Sequence, residues 1–158
     1  MTANLRERAR QIINKIIYVT IATASADGQP WNTPVYSAYD DEYNFYWASD
    51  KNGQHSQNIQ VNPKVFLVIY DSTAPEGTGE GVYVQANAYQ LQKQNEIDRA
   101  VGHLYARKNQ EPKGADEFLG DYPRRVYKAV PQEFWMNGEG DVKGNFIDIR
   151  TEVSLKRQ

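Results

Sequence analysis

The sequence predicts an α+β protein in which short antiparallel strands form a small β-barrel and a few helices pack outside it. In several short segments apolar residues alternate with polar ones, which is typical of half-buried strands. Two other segments, residues 3–15 and 96–108, repeat their apolar residues at helical spacing. Because no internal repeat or linker divides the 158 residues, we expect one domain spanning residues 1–158.

The first half of the chain predicts a helix followed by a meander of strands. Ile17, Val19 and Ile21 begin the alternation, and Asp27-Gly28 predicts the first hairpin turn. A polar turn then leads into a short helix, and the next segment is apolar at every position, which predicts a central strand covered on both faces. The expected strands are 17–22, 31–39, 43–48 and 65–70, with the short helix at 55–62.

The second half begins with a long polar loop that contains Pro75 and three glycines. A long strand and the second main helix follow, with Asn95 as the expected N-cap of that helix. The late glycines predict a loop. The expected elements are a loop at 71–81, a strand at 82–91, a helix at 96–108, a helical turn at 115–119, strands at 125–130 and 134–137, a glycine-rich loop at 138–144 and a weakly alternating tail at 146–155.

Composition argues against several classes of function. The net charge of −2 gives no basic field that would attract nucleic acid or anionic lipid. The chain has no cysteine and only two histidines, which excludes disulfides and makes a transition-metal site improbable. The longest apolar runs are far shorter than the ~20 residues that cross a bilayer. We therefore expect a cytoplasmic protein without a nucleic-acid or membrane partner.

The most informative stretch is the aromatic strand at residues 45–49 and the polar turn and short helix that follow it. This order places hydroxyl, amide and imidazole groups at a helix N-terminus, beside an aromatic surface. Such a site suits a ligand with a phosphate at one end and a ring system at the other. Two alternatives remain open: His55 is a phosphate donor or an exposed polar residue, and Trp47 lines the ligand or packs in the core.

Other motifs favour ordinary explanations. Ser56 directly follows His55, but adjacent residues rarely form a nucleophile–base pair, and the chain has no G-x-S-x-G motif. The glycine-rich segment 77–81 lacks the lysine of a P-loop and leads into a strand pattern. No residue stands out as a dedicated catalytic acid or base.

The order of elements resembles the FMN-binding split β-barrel family of pyridoxamine 5′-phosphate oxidase, in particular its small general stress protein relatives. Three segments carry the resemblance: residues 29–36, residues 45–63, and the late pair of segments 133–135 and 148–150. The resemblance implies a split β-barrel with flanking helices, a homodimer, and non-covalent FMN in two symmetric pockets.

The resemblance also implies a set of cofactor-binding positions, with the last two supplied by the second subunit. These positions are Asn32, Thr33, Pro34, Val35, Trp47, Ala48, Ser49, Gln54, His55, Ser56, Trp135 and Arg150. The oxidase holds the phosphate with Arg and Lys where this chain has Gln54 and His55, and it carries basic groups near the positions of Asn32 and Ser37. Segment 138–147 offers no match to the pyridoxal-phosphate-binding residues, so oxidase activity on pyridoxamine phosphate is not expected.

Three functional hypotheses follow from the resemblance. The first is an FMN-dependent oxidoreductase that acts on an unknown small molecule. The second is a flavin-binding stress or sensor protein without turnover. The third is the same barrel holding the deazaflavin F420 or haem, for which His55 and His103 are the only imidazole ligands in the sequence.

Overall fold

The structure, a computed structural model, describes residues 2–155 and contains one antiparallel sheet with three α-helices. The strand order is β2-β1-β5-β6-β7-β4-β3, with β8 paired to β7. Because β2 and β3 lie at opposite ends of this order and do not pair, the barrel is split, which confirms the predicted α+β class. The strands are β1 (Tyr18–Ala24), β2 (Pro30–Tyr36), β3 (Ala38–Tyr39), β4 (Phe45–Asp50), β5 (Lys64–Tyr70), β6 (Gly81–Gln90), β7 (Arg124–Val142) and β8 (Asn145–Glu152). The helices are α1 (Thr2–Lys15), α2 (Gln54–Val61) and α3 (Gln94–Arg107), with a 3₁₀ turn at Ala115–Phe118.

The main core fills the inner face of the sheet. Ile21, Leu67 and Val84 come from neighbouring strands and are fully buried there. Ala9 and Ile13 of α1 belong to the same core, because the apolar stripe of that helix faces the sheet. A second, smaller core lies between α3 and the opposite face of β4 and β7; its members include Tyr46, Val101, Leu104, Phe118 and Val126. Burial of apolar area in these two cores is the main stabilising contribution to the fold.

The turn before β4 is held by a buried carboxylate. The Asp40 carboxylate accepts hydrogen bonds from the amides of Glu42 and Asn44, from Asn44 Nδ2 (2.9 Å to Oδ2) and from the Tyr46 hydroxyl (2.8 Å). Burial alone would raise the pKa of Asp40, but these hydrogen bonds outweigh it and hold the pKa below 3.8. The carboxylate therefore stays ionised and fixes the start of the strand that leads to the candidate site.

The prediction of two late strands, at 125–130 and 134–137, is wrong because the two form one strand. β7 is a single strand of 19 residues that runs through Pro131. Gln85 pairs with Glu133 whereas Ala86 pairs with Pro131, so Gln132 is the extra residue of a β-bulge. A bulge tolerates proline because the regular hydrogen-bond ladder is already interrupted there.

The predicted glycine-rich loop at 138–144 is also wrong. β7 continues to Val142, and a tight turn at Lys143 and Gly144, with φ of 55° and 78°, returns the chain as β8. Gly140 lies within β7. A Cβ at this position would approach Ile147 Cγ1 to 2.7 Å and the Ile147 carbonyl oxygen to 3.3 Å, so a larger residue would not fit. Close contact between the two strands therefore explains this glycine.

Three further expectations need correction. Asn95 lies inside α3, whose N-cap is Lys93 and has no side-chain capping bond. The strand expected at 31–39 breaks at Ser37 into β2 and β3. β5 is covered on one face only, since Phe66 and Val68 on its other face are half-buried.

None of the helices within residues 2–155 is long and apolar enough to cross a membrane.

Candidate functional site

The N-terminus of α2 presents backbone amides that have no internal acceptor. Its N-cap, Gly53, makes no side-chain capping bond, and the amides of Gln54, His55 and Ser56 find no acceptor among residues 2–155. A Cβ at Gly53 would lie 3.2 Å from His55 Cε1 and 3.3 Å from the Asp50 carbonyl oxygen, so glycine permits this tight approach. Free amides at the positive end of a helix favour an anion.

His55 lies at this helix end and is half-buried. Its Nε2 atom is buried and has no hydrogen-bond partner within residues 2–155. Burial lowers the pKa of His55 below 6.5, and the nearby Asp50 carboxylate opposes this only in part. At neutral pH the ring is therefore mainly uncharged, with one nitrogen free to contact a ligand.

The side chains of Ser56 and Gln54 bond within the protein. The fully buried Ser56 hydroxyl donates to the Asp50 carbonyl oxygen at 2.7 Å, which closes the turn that precedes α2. Gln54 Nε2 donates to Asn58 Oδ1 at 2.9 Å, and Asn58 Nδ2 donates to Thr23 Oγ1 of β1 at 3.0 Å. Asn58 was missed from the sequence, although a buried amide that ties the helix to β1 positions the whole site. In the sequence Asn58 is one polar residue among several, and only the structure shows that it is buried.

Trp47 belongs to the core. Its side chain is fully buried, and its ring stacks on Tyr127 at a centroid distance of 5.6 Å and an interplanar angle of 14°. A ligand at this site would therefore meet the backbone of Trp47 and not the indole. Ala48 and Ser49, which follow at the end of β4, are half-buried and lie next to the turn before α2.

The four predicted positions on β2 divide between two faces of the sheet. Asn32 and Pro34 are exposed on the outer face. Val35 is buried in the core, and Thr33, on the same side as Val35, accepts a hydrogen bond from Trp31 Nε1 at 2.9 Å. α2 packs against β1 and β2, and β2 also contacts β4, so α2, β2 and β4 belong to one region of the molecule.

Trp135 and Arg150 lie together, but in another region. The Trp135 ring stacks on Phe66 at 6.1 Å, and the Arg150 guanidinium lies 3.9 Å from the centroid of the Tyr83 ring. Their strands are separated from β2 by β1, β5 and β6. Among residues 2–155, the ring of Trp135 and the guanidinium of Arg150 contact β5 and β6, and not β2, β4 or α2. Within one chain the structure therefore brings together the predicted residues of β2, β4 and α2, but not the late Trp and Arg.

The fold and this geometry define a split-barrel protein with a helix end whose first amides have no acceptor among residues 2–155. Residues 5–137 match the family model described as pyridoxamine 5′-phosphate oxidase. The chain is similar to the pyridoxine/pyridoxamine 5′-phosphate oxidase of Rubrobacter xylanophilus, with 24% identity over 164 residues that cover 88% of this chain and 74% of that protein. The chain therefore belongs to the pyridoxamine 5′-phosphate oxidase family.

Solved structures share the fold at low sequence identity. HutZ, the haem storage protein from Vibrio cholerae, aligns with a TM-score of 0.67 and 14% identity, covering 81% of this chain and 91% of that one. A haem-binding protein from Mycobacterium smegmatis aligns with a TM-score of 0.68 and 19% identity, covering 93% of this chain and 57% of that one.

Within residues 2–155 there is no group of three His, Asp or Glu side chains that could hold a metal ion.

Proposed function

We propose that the protein binds FMN and is a flavin-dependent oxidoreductase that acts on a small molecule. One observation carries the proposal: the amides of Gln54, His55 and Ser56 are unengaged, beside the buried and unpartnered Nε2 of His55. These groups suit the phosphate of FMN, because helix-end amides and a neutral imidazole donate hydrogen bonds to an anion. Family membership supports the same ligand.

The flavin ring fits along the outer face of β2. Asn32 and Pro34 are exposed there, and Ala48 and Ser49 lie at the neighbouring end of β4. FMN, when bound, supplies the electron-transfer chemistry, so the chain needs only to bind and orient the ring and to limit its contact with water. Gln54 and the mainly neutral His55 stand where the oxidase carries Arg and Lys, and each missing charge-assisted bond weakens phosphate binding by about 1 kcal/mol or more.

We further propose that two copies of the chain complete each pocket. Phe66, Val68, Tyr83 and Trp135 form a half-buried, mainly apolar outer face on β5, β6 and β7. A second copy seated on this face would place its own Trp135 and Arg150 near the flavin, whereas within one chain these two side chains contact β5 and β6. The dimer and the cofactor site are therefore parts of one proposal.

Haem is the alternative ligand. Two proteins of similar fold carry haem in their descriptions, and the free Nε2 of His55 has the chemistry of an iron ligand. His103 is a poorer candidate because its ring stacks on buried Tyr46 with a centroid distance of 5.7 Å. FMN and haem differ in their visible absorption spectra, so the spectrum distinguishes the two proposals.

The test is the visible spectrum of the purified protein, with mass analysis of the released cofactor and titration of the empty protein with FMN. We expect flavin absorption and saturable FMN binding, followed by bleaching of the flavin when NADPH or NADH is added and reoxidation by an acceptor. A bound flavin that no donor reduces would favour a flavin-binding protein without turnover. A colourless protein that does not take up FMN would refute the proposal, and a haem spectrum would replace it.

A further inference from the structure

A small cavity lies between the C-terminal half of α3, the 3₁₀ turn and the ends of β2 and β4. Its volume is about 40 Å³. A site of roughly 10–15 Å³ already accommodates a water molecule, so this cavity holds a small chemical group but not a ring system. The lining residues are Tyr36, Ala48, Leu104, Tyr105, Lys108, Phe118 and Arg124. Two of the seven are cations, and none is an acid.

The two cations at the cavity have no carboxylate partner. Lys108 Nζ lies 5.0 Å from the ring centroid of Tyr36 and 4.6 Å from that of Tyr105. Arg124 is oriented by a hydrogen bond of 2.9 Å from Nη2 to the Ala48 carbonyl oxygen. Neither residue forms an ion pair with any other of residues 2–155. Both side chains are exposed to solvent on one side. Partial burial, and then the charge of Arg124, lower the pKa of Lys108.

Tyr36 adds a hydrogen-bond donor. Its hydroxyl oxygen is buried and has no partner among residues 2–155. Burial raises the pKa of Tyr36, so the hydroxyl keeps its proton. A buried hydroxyl without a partner is destabilising unless a ligand or water accepts its hydrogen bond.

We propose that this cavity binds an oxyanion group, a phosphate or a carboxylate, through the charges of Lys108 and Arg124 and the hydroxyl of Tyr36. An anion satisfies the donor and neutralises the repulsion between the two cations in one step. Tyr36 alternates with Pro34 and Asn32 on the outer face of β2, and Ala48 precedes Ser49, so the cavity adjoins the proposed flavin region. Because the phosphate of FMN is proposed to bind at the end of α2, the group in this cavity belongs to a second, anionic small molecule bound beside the flavin.

The first experiment does not depend on flavin. The full chain is titrated with inorganic phosphate at constant ionic strength and followed by NMR chemical shifts. We expect saturable shifts centred on Tyr36 and Lys108, and an affinity about tenfold lower in Lys108→Met and in Tyr36→Phe. Lys93→Met removes a lysine at the other end of the same helix and should bind phosphate like the wild type. Equal affinities in Lys108→Met and Lys93→Met, or no saturable shift at all, would overturn the proposal.

The second experiment distinguishes a second molecule from FMN as the source of the anion. FMN and riboflavin, which lacks the phosphate, are titrated into the wild type and Lys108→Met. A loss of affinity for FMN but not for riboflavin would instead place the FMN phosphate in this cavity, which would overturn both the second molecule and the placement of that phosphate at α2. Unchanged FMN affinity, with inorganic phosphate still bound in its presence, assigns the cavity to a second molecule. Since the phosphate titration needs no flavin, failure of the proposed FMN function and failure of this anion site are separate results.

Discussion

At the scale of single residues, His55 decides how the proposed phosphate site is charged. Burial lowers its pKa, so the free protein holds a mainly neutral imidazole at the end of α2. A bound phosphate would reverse this preference, because an adjacent anion stabilises the protonated ring. Binding of the anion and protonation of His55 are therefore linked: each favours the other.

We expect His55→Ala to weaken FMN affinity about tenfold, equivalent to ~1.4 kcal/mol, because one hydrogen bond to the phosphate is lost. As the pH falls from 8 toward 6.5, wild-type affinity should rise relative to that of the variant, since only the wild type gains a proton on binding. Flavin fluorescence titrations at several pH values measure both effects. Gln60→Ala, an exposed change on the same helix, is the control. An affinity of His55→Ala equal to that of the control would return His55 to the role of an ordinary polar residue.

At the scale of elements, Arg107 joins the ends of two helices. Its guanidinium, at the last residue of α3, donates to the carbonyl oxygens of Ile13 (2.9 Å), Asn14 (2.9 Å) and Ile16 (3.1 Å) at the end of α1. It also donates to the Ser37 carbonyl oxygen at 3.1 Å, at the break between β2 and β3. The final carbonyls of a helix have no internal donor, so this one side chain satisfies several of them.

Replacing Arg107 with Met should lower the free energy of unfolding by about 3 kcal/mol, because the half-buried carbonyls lose a charged donor. Urea unfolding at a fixed protein concentration measures the change. Arg99→Met alters an exposed arginine on the same helix and should change stability by no more than about 0.5 kcal/mol. If both variants unfolded at the same urea concentration, the bonds of Arg107 would contribute nothing measurable.

At the scale of the whole molecule, the outer face of the sheet carries a half-buried apolar surface. Phe66 and Val68 of β5 are only half-buried, although their neighbours Leu67 and Ile69 are completely buried on the inner face. Trp135 and Tyr83 extend the same apolar surface onto β6 and β7. A second copy on this face would bury it, which the proposed flavin pocket also requires.

Val68→Glu should convert a dimer into a monomer and reduce FMN occupancy together with it, since a charge on this face is costly to bury. Light scattering coupled to size-exclusion chromatography gives the mass, and absorbance gives the flavin content. Val61→Glu makes the same chemical change at an exposed position at the end of α2 and should leave both unchanged. A Val68→Glu protein that remained dimeric with full flavin content would contradict this location of the interface.

Local patterns in the sequence were sufficient for most of the regular elements. Apolar spacing predicted α1, α3 and most strands to within a few residues, because period and burial are linked directly in an amphipathic segment. The dipeptide Asp27-Gly28 predicted the first hairpin, and Gly28 has the positive φ of 88° that such a turn requires. The polar turn before α2 was likewise recognised as the site of a helix end with free donors. These features depend on residues that are close together in the chain.

Only the tertiary structure decided which faces and which distant residues meet. The sequence could not place Trp47, because aromatic residues occupy both faces of β4 and only the packing against Tyr127 assigns this ring to the core. It also could not show that Pro131 sits at a bulge, since that depends on the register with β6. Lys108, Arg124 and the unpartnered hydroxyl of Tyr36 line one cavity, although they are far apart in the sequence and no local pattern relates them. The sequence by itself determined most of the regular elements, but not the continuous β7 and its turn into β8, and it located the helix end with free amides. Packing and strand register, which arise from long-range contacts, determined where the charges and the open surfaces of the molecule lie.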